Sequence, residues 1–181
     1  MQLIRYSENH NVAKDFGPLF ESAFPIEERP SLKNLLITLN RPSNDVICYY
    51  DNDKFIGFTY HTIYKHICYI FFLAISEECR QMGYGTKILS IVKEIYKAYT
   101  LLLGYEELDP KYENYEIRCK RAEFYKKNGF IDNHMLTEEF GERFQYVYIG
   151  KEPVSYNEFL EIFKLGCAID ITGNIKLIKG N

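Results

Sequence analysis

The sequence predicts a single α+β domain, a mixed α/β arrangement built on one central sheet. Three observations point there. Apolar residues at helical spacing alternate with runs of β-formers along the whole chain. Two such β runs are separated by Asp51-Asn52-Asp53, which reads as an antiparallel hairpin. The run Ile67–Ile75 is unbroken apolar and suits a strand covered on both faces.

The elements follow in order. Val12, Phe16, Leu19, Phe20 and Ala23 recur at helical period, and Phe24-Pro25 stops that helix. Ser31 caps a second helix carrying Leu32, Leu35, Leu36 and Leu39, ended by Asn40-Arg41-Pro42. Residues 46–50 and 54–64 form the hairpin, and the apolar strand follows. A glycine-containing turn then leads into a helix with Ile88, Leu89, Ile91, Val92, Ile95, Tyr96 and Tyr99 along one stripe. Residues 100–105 return to strand. A polar connection through Asp109-Pro110 reaches Asn114, an expected helix cap, and Gly129 is a fitting left-handed stop after Asn128. Strands near 131–136 and 144–149 come next. A last helix spans about 155–165, and the tail 166–181 is expected to turn a small hairpin at Thr172-Gly173-Asn174. Residues 1–181 read as one domain without linker, repeat or low-complexity segment.

Composition narrows the function classes. With 181 residues, 46% hydrophobic and 26% charged, the chain buries an ordinary core without metals or bridges. The net charge is −3 and the one basic cluster, 118–127, is flanked by acids, so a nucleic-acid partner is not expected. The five cysteines are odd in number and scattered, with no metal-ligand spacing, so no metal is expected. No signal-like start and no run long enough for a bilayer are present, which places the chain in the cytoplasm without a membrane partner. His61, His66 and His134 follow no metal or triad spacing and read as surface or strand-edge residues.

The chemistry concentrates on Arg80-Gln81-Met82-Gly83-Tyr84-Gly85. A buried strand, a glycine turn and a helix start make an anion site, because the first helical amides lack intrahelical partners and the helix dipole favours negative charge. Gly83 and Gly85 let backbone approach a ligand, Arg80 adds positive charge, and Thr86 offers a hydroxyl. The P-loop order fails, since Gly85-Thr86-Lys87 reverses its last two residues, and the dinucleotide pattern fails because residues 76–82 contain no glycine.

Residues 73–89 resemble the acyl-CoA motif of the GNAT superfamily of N-acetyltransferases, [RQ]-x-x-G-x-[GA], set five residues after the hydrophobic end of the fourth strand. Arg121-Ala122-Glu123-Phe124-Tyr125-Lys126-Lys127-Asn128-Gly129-Phe130 resembles the same family's F-Y-x-x-x-G-F ending. The resemblance covers about residues 3–150 in element order. It implies a GNAT-type fold: a mostly antiparallel central sheet, fourth and fifth strands splayed apart, and helices on both faces. It implies acetyl-CoA as donor and direct transfer to an amine. Leu73 and Ile75 would then pair with the pantetheine arm, and the amides of Gln81, Met82, Gly83, Tyr84, Gly85 and Thr86 would meet the diphosphate.

The resemblance also makes Tyr125 the general acid for the departing thiolate, which suits a phenol of pKa about 10. The fourth strand has no carboxylate, so the family's frequent glutamate base is missing. Glu106, at the end of the fifth strand, is the first candidate in its place. Glu27 and Glu28, in a stretch Phe24-Pro25-Ile26-Glu27-Glu28-Arg29 found in some bacterial members, are candidates to attract a cationic amine. Arg118 and Arg121 are candidates for the 3′-phosphate of CoA, or for salt bridges with Glu116 or Glu123. Cys79 precedes the anion loop, but direct transfer needs no thiol nucleophile. A non-catalytic acyl-CoA-binding module on the same fold is the alternative. The alternating tail (Ile169, Ile171, Ile175, Leu177) is expected to add an edge to its own sheet or to that of a second copy, which would make a homodimer.

Overall fold

Asn52 and Asp53 both take left-handed backbone, φ 49° and 63°, as the two-residue type I′ turn of a tight hairpin requires. They join β2 (Asn44–Asp51) to β3 (Lys54–Tyr64). β1 (Gln2–Arg5) pairs with the outer side of β2, and β4 (Ile67–Ile75) with β3. The computed structural model describes residues 1–26 and 29–180. Its eight-stranded sheet runs β1-β2-β3-β4-β5-β7-β6-β8, with β5 (Thr100–Glu106), β6 (Ile131–Glu139), β7 (Glu142–Ile149) and β8 (Ile175–Lys179). Among the described residues only the β4–β5 pair is parallel, so the sheet is mostly antiparallel as predicted.

Strand alternation distributes helices to both faces. Val46 and Cys48 pack with α1 (Ala13–Ala23) and α2 (Leu32–Thr38), whereas Ile47 and Tyr49 join the core under α3 (Tyr84–Ile95) and α4 (Tyr115–Lys127). α5 (Tyr156–Gly166) covers Tyr69, Tyr146 and Tyr148, beside α1 and α2. Its N-terminus carries a capping box, Ser155 with Glu158. At its other end Arg41 donates to the carbonyls of Leu165 (2.8 Å) and Cys167 (2.7 Å), satisfying carbonyls that the helix leaves open.

The site is positioned by a bulge. Tyr60 faces Phe72 and His61 faces Ile70, so Phe71 is an extra residue in β4. A bulge bends its strand. β4 stays paired with β5 only from Ile67–Ile70 against Thr100–Leu103. Beyond that point β4 keeps only β3, while β5 keeps only β7 through Glu106. The two strands part there, leaving a gap between their facing edges.

Four expectations are corrected. The tail makes no hairpin at residues 172–174; these form a 3-10 turn, and β8 pairs antiparallel with β6 of its own sheet. Asn114 does not cap α4 with its side chain, because its Oδ1 accepts from Arg118 Nε at 2.8 Å. β6 runs three residues longer than expected, to Glu139. His61 is not a surface residue: it is 1% exposed, its ring centroid 5.0 Å from that of Tyr96.

Burial, helped by the charge of Arg5, pushes the His61 imidazole down from 6.5 to about 3. The folded state therefore binds fewer protons than the unfolded state between those values. The resulting stability is complete above about pH 6.5 and is lost as pH falls toward 3. Urea unfolding across that window is expected to show a shallower acid loss for His61→Leu than for the parent protein. Equal slopes would place the imidazole's proton elsewhere.

Candidate functional site

The loop between β4 and α3 is bent by two left-handed residues, Gln81 at φ 61° and Gly83 at φ 80°. Gly83 is the N-cap of α3, and no side chain caps that end. The first helical bond is Lys87 N to Gly83 O, 3.2 Å, so the amides of Tyr84, Gly85 and Thr86 have no intrahelical acceptor. A Cβ on Gly83 would meet nothing within 4 Å, so the space beside this helix start is open. Gly85 has a different reason: a Cβ there would stand 3.0 Å from Phe124 Cζ, and glycine lets α3 approach α4.

Side chains lock this loop in place. Tyr84 Oη donates to Asp51 Oδ2 at 2.8 Å, tying the helix start to the β2–β3 hairpin. Asn128 Nδ2 donates to Thr86 Oγ1 at 3.4 Å, from the far end of α4. Arg80 folds back and donates from Nε to the Ile75 carbonyl at 3.2 Å. Met82 is exposed, and Cys79 is buried in the core.

The predicted donor strand faces the gap. Ser76 N–H donates to Ile56 O on β3; by strand alternation the backbone groups of Leu73 and Ile75 turn the other way, where β5 has left. The Ile75 carbonyl is the one already taken by Arg80.

Across the gap, Tyr125 is 8% exposed and its ring lies 5.9 Å from Tyr105 of β5 and 5.9 Å from Phe130. Its hydroxyl makes no hydrogen bond to another described residue. Burial pushes the phenol up to about 12, with Glu106 and Tyr105 adding to the rise and Arg121 opposing it. Glu106 is 6% exposed and forms an ion pair with Arg121, one turn before Tyr125 on the same face of α4. The structure thus gathers Tyr105, Glu106, Arg121 and Tyr125 at the mouth of the gap.

The sequence reading missed two of these, Tyr105 and the Arg121–Glu106 pair. Tyr105 was legible as the inward residue of a strand whose neighbours Leu101 and Leu103 face the same core. The ion pair joins residues fifteen apart and has no local signal. Arg118 does not pair with Glu116: it is buried, stacked 3.8 Å over Tyr112, and donates to Glu107 O at 3.1 Å. Glu27 and Glu28 lie outside the described residues. Among the described residues no cluster of His, Cys, Asp or Glu is arranged for a metal, and no helix is long and apolar enough to cross a membrane.

Known proteins share this architecture. The family model for an acetyltransferase (GNAT) domain matches residues 42–132. A chain from Bacteroides thetaiotaomicron assigned to the GNAT family superposes with TM-score 0.70 at 19% identity, over 89% of this chain and 92% of that one. An aminoglycoside 6′-N-acetyltransferase in complex with coenzyme A gives 0.64 at 19%, over 86% and 98%. A spermidine N-acetyltransferase from Vibrio cholerae gives 0.62 at 15%, over 82% and 94%. At such identities the likeness is one of fold. No curated protein sequence matches the chain.

Proposed function

The chain belongs to the GNAT acetyltransferase family, and from that premise we propose that it moves an acetyl group from acetyl-CoA directly to a primary amine in the gap between β4 and β5. One observation carries the reading. A buried phenol with no hydrogen-bond partner among the described residues stands beside the parted strands, at the end of the sheet where the uncapped amides of α3 begin. Acetyl-CoA would lay its diphosphate on the amides of residues 81–86 and its pantetheine arm along Leu73 and Ile75. The Ile75 carbonyl has a second lone pair for the arm beside its bond from Arg80 Nε, and the Nη1 and Nη2 groups of Arg80 are left to meet phosphate.

The neutral amine attacks the thioester carbonyl carbon, and a carbon–nitrogen bond forms as the carbon–sulfur bond breaks. Tyr125 gives its proton to the departing sulfur. The amine's surplus proton leaves to Glu106 or to water held by it. Arg121 stays beside both groups and keeps positive charge near the forming thiolate.

A small cationic amine is the favoured acceptor. Glu27 and Glu28 would attract it, and two of the structural relatives are named for amine-rich substrates, an aminoglycoside and spermidine. Release of free CoA over a panel of polyamines, aminoglycosides, amino acids and peptides, with mass analysis of products, tests this. Binding of acetyl-CoA with no release over the whole panel would favour the non-catalytic module. The reading includes a cytoplasmic home, where the five free thiols stay reduced. It also includes a homodimer, which sedimentation of the purified chain tests.

Glu106→Gln separates base from scaffold. As the base, Glu106 is expected to be worth about 10²-fold in kcat/KM near neutral pH, with much of the loss regained at higher pH, where the free amine is already neutral. A lowered Tm with an unchanged pH–rate profile would leave Glu106 as only the partner of Arg121.

A further inference from the structure

The gap opens at one end of α3, and a half-open pocket lies at the other. A cavity of about 450 Å³ sits beside the C-terminal end of that helix, lined in part by Arg5, Asp45, His61, Ile63, Tyr96 and Tyr99. α3 has 12 residues, so roughly 18 Å separates this cavity from the amides at the helix start. Its volume lies within the range of small-molecule sites, roughly 300–1,000 Å³.

The polar groups around it are unevenly satisfied. Asp45 is saturated: it accepts from Arg5 Nη1 (2.9 Å), Val46 N (2.9 Å), Ser7 Oγ (3.1 Å) and Ser7 N (3.3 Å). No carboxylate oxygen there is left for a cation. Donors, in contrast, are left over. Arg5 uses only Nη1, for Asp45 and for Tyr96 Oη at 3.5 Å, so its Nε and Nη2 have no protein partner among the described residues. The Tyr96 hydroxyl accepts that bond, and its own proton has no acceptor among the described residues. His61 is buried with neither ring nitrogen partnered. A neutral imidazole presents one donor and one acceptor, and burying both unpaired costs free energy that a ligand recovers.

We infer that this cavity is a second small-molecule site, distinct from the acetyl-CoA gap, and that it takes a small organic carboxylate bearing a hydroxyl group. The carboxylate fits the spare donors of Arg5 and Tyr96, the hydroxyl answers the imidazole of His61, and the carbon body rests on Ile63 and Tyr99. A cationic ligand is disfavoured by Arg5 and finds no free carboxylate.

Calorimetry and thermal shift on the full chain test this, with lactate and 4-hydroxybenzoate as probes. Propionate and benzoate lack the hydroxyl, and lactamide lacks the charge. At least one hydroxycarboxylate is expected to bind below about 1 mM and raise Tm, with its deoxy counterpart several-fold weaker and lactamide silent. Tyr96→Phe and His61→Leu are each expected to weaken that binding at least tenfold, while acetyl-CoA binding persists and certifies the fold. Either variant alone suffices should the other not fold. The inference is overturned if neither hydroxycarboxylate binds, if lactamide binds as well as lactate, or if binding survives the substitutions, which would place the probe in the acetyl-CoA gap or on the surface.

Discussion

Replacing Tyr125 with phenylalanine is expected to lower kcat by about 10²- to 10³-fold and to leave the acetyl-CoA affinity within about twofold. The ring would keep its packing against Tyr105, Phe124 and Phe130, and the hydroxyl that disappears bonds to no described residue. Stability should therefore change by less than about 1 kcal/mol, or roughly 2–4 °C in Tm. Because burial holds the phenol near 12, it stays loaded with its proton at every ordinary working pH. The pH–rate profiles of parent and variant should run parallel up to about pH 10. The same shift has a stability sign: its contribution is whole below about pH 10 and is lost as pH rises toward 12. Single-turnover CoA release decides the matter. An unchanged rate constant would take the acid role away from Tyr125.

Gly83→Ala attacks binding rather than chemistry. At φ 80° an alanine pays a left-handed strain of about 1–2 kcal/mol, and its methyl projects into the open space beside the helix start. The acetyl-CoA Kd is expected to rise about 10- to 100-fold, with kcat at saturation close to that of the parent. Gly141→Ala is the control for strain. Gly141 also has positive φ, 91°, with nothing within 4 Å of an added Cβ, but it turns the β6–β7 hairpin. It should cost similar stability without altering acetyl-CoA affinity. A Kd for the Gly83 variant no worse than that of the control would remove the diphosphate from this loop.

How much of this was legible depends on how local each cause is. The hairpin turn, the Ser31 cap, the apolar strand and the glycine loop are all written in a few adjacent residues, and the structure places them as read. The bulge at Phe71 was hidden because Ile67–Ile75 is apolar throughout, so inserting one residue leaves no mark on the pattern. β8 finds β6 across forty residues, a pairing that no local period announces. His61 misled for the opposite reason. Thr59, His61 and Thr62 give β3 a polar look, yet both faces of that strand are covered and all three side chains are buried. Around Tyr125 the motif identified the residue, while its environment came from contacts made at a distance by Glu106 and Tyr105.

The strand order has a consequence for a chain emerging from a ribosome. β7 lies between β5 and β6, so the far edge of β5 has no partner until residues 142–149 have been made. β1 through β4 can pair almost as they appear, whereas the wall that completes the gap between β4 and β5 waits for the last third of translation. During that interval the row of leucines at 101–103 stands with one open edge, the kind of segment that invites pairing with another nascent chain. Slow elongation just before residue 142 would lengthen that exposure, and slow elongation just after residue 149 would not.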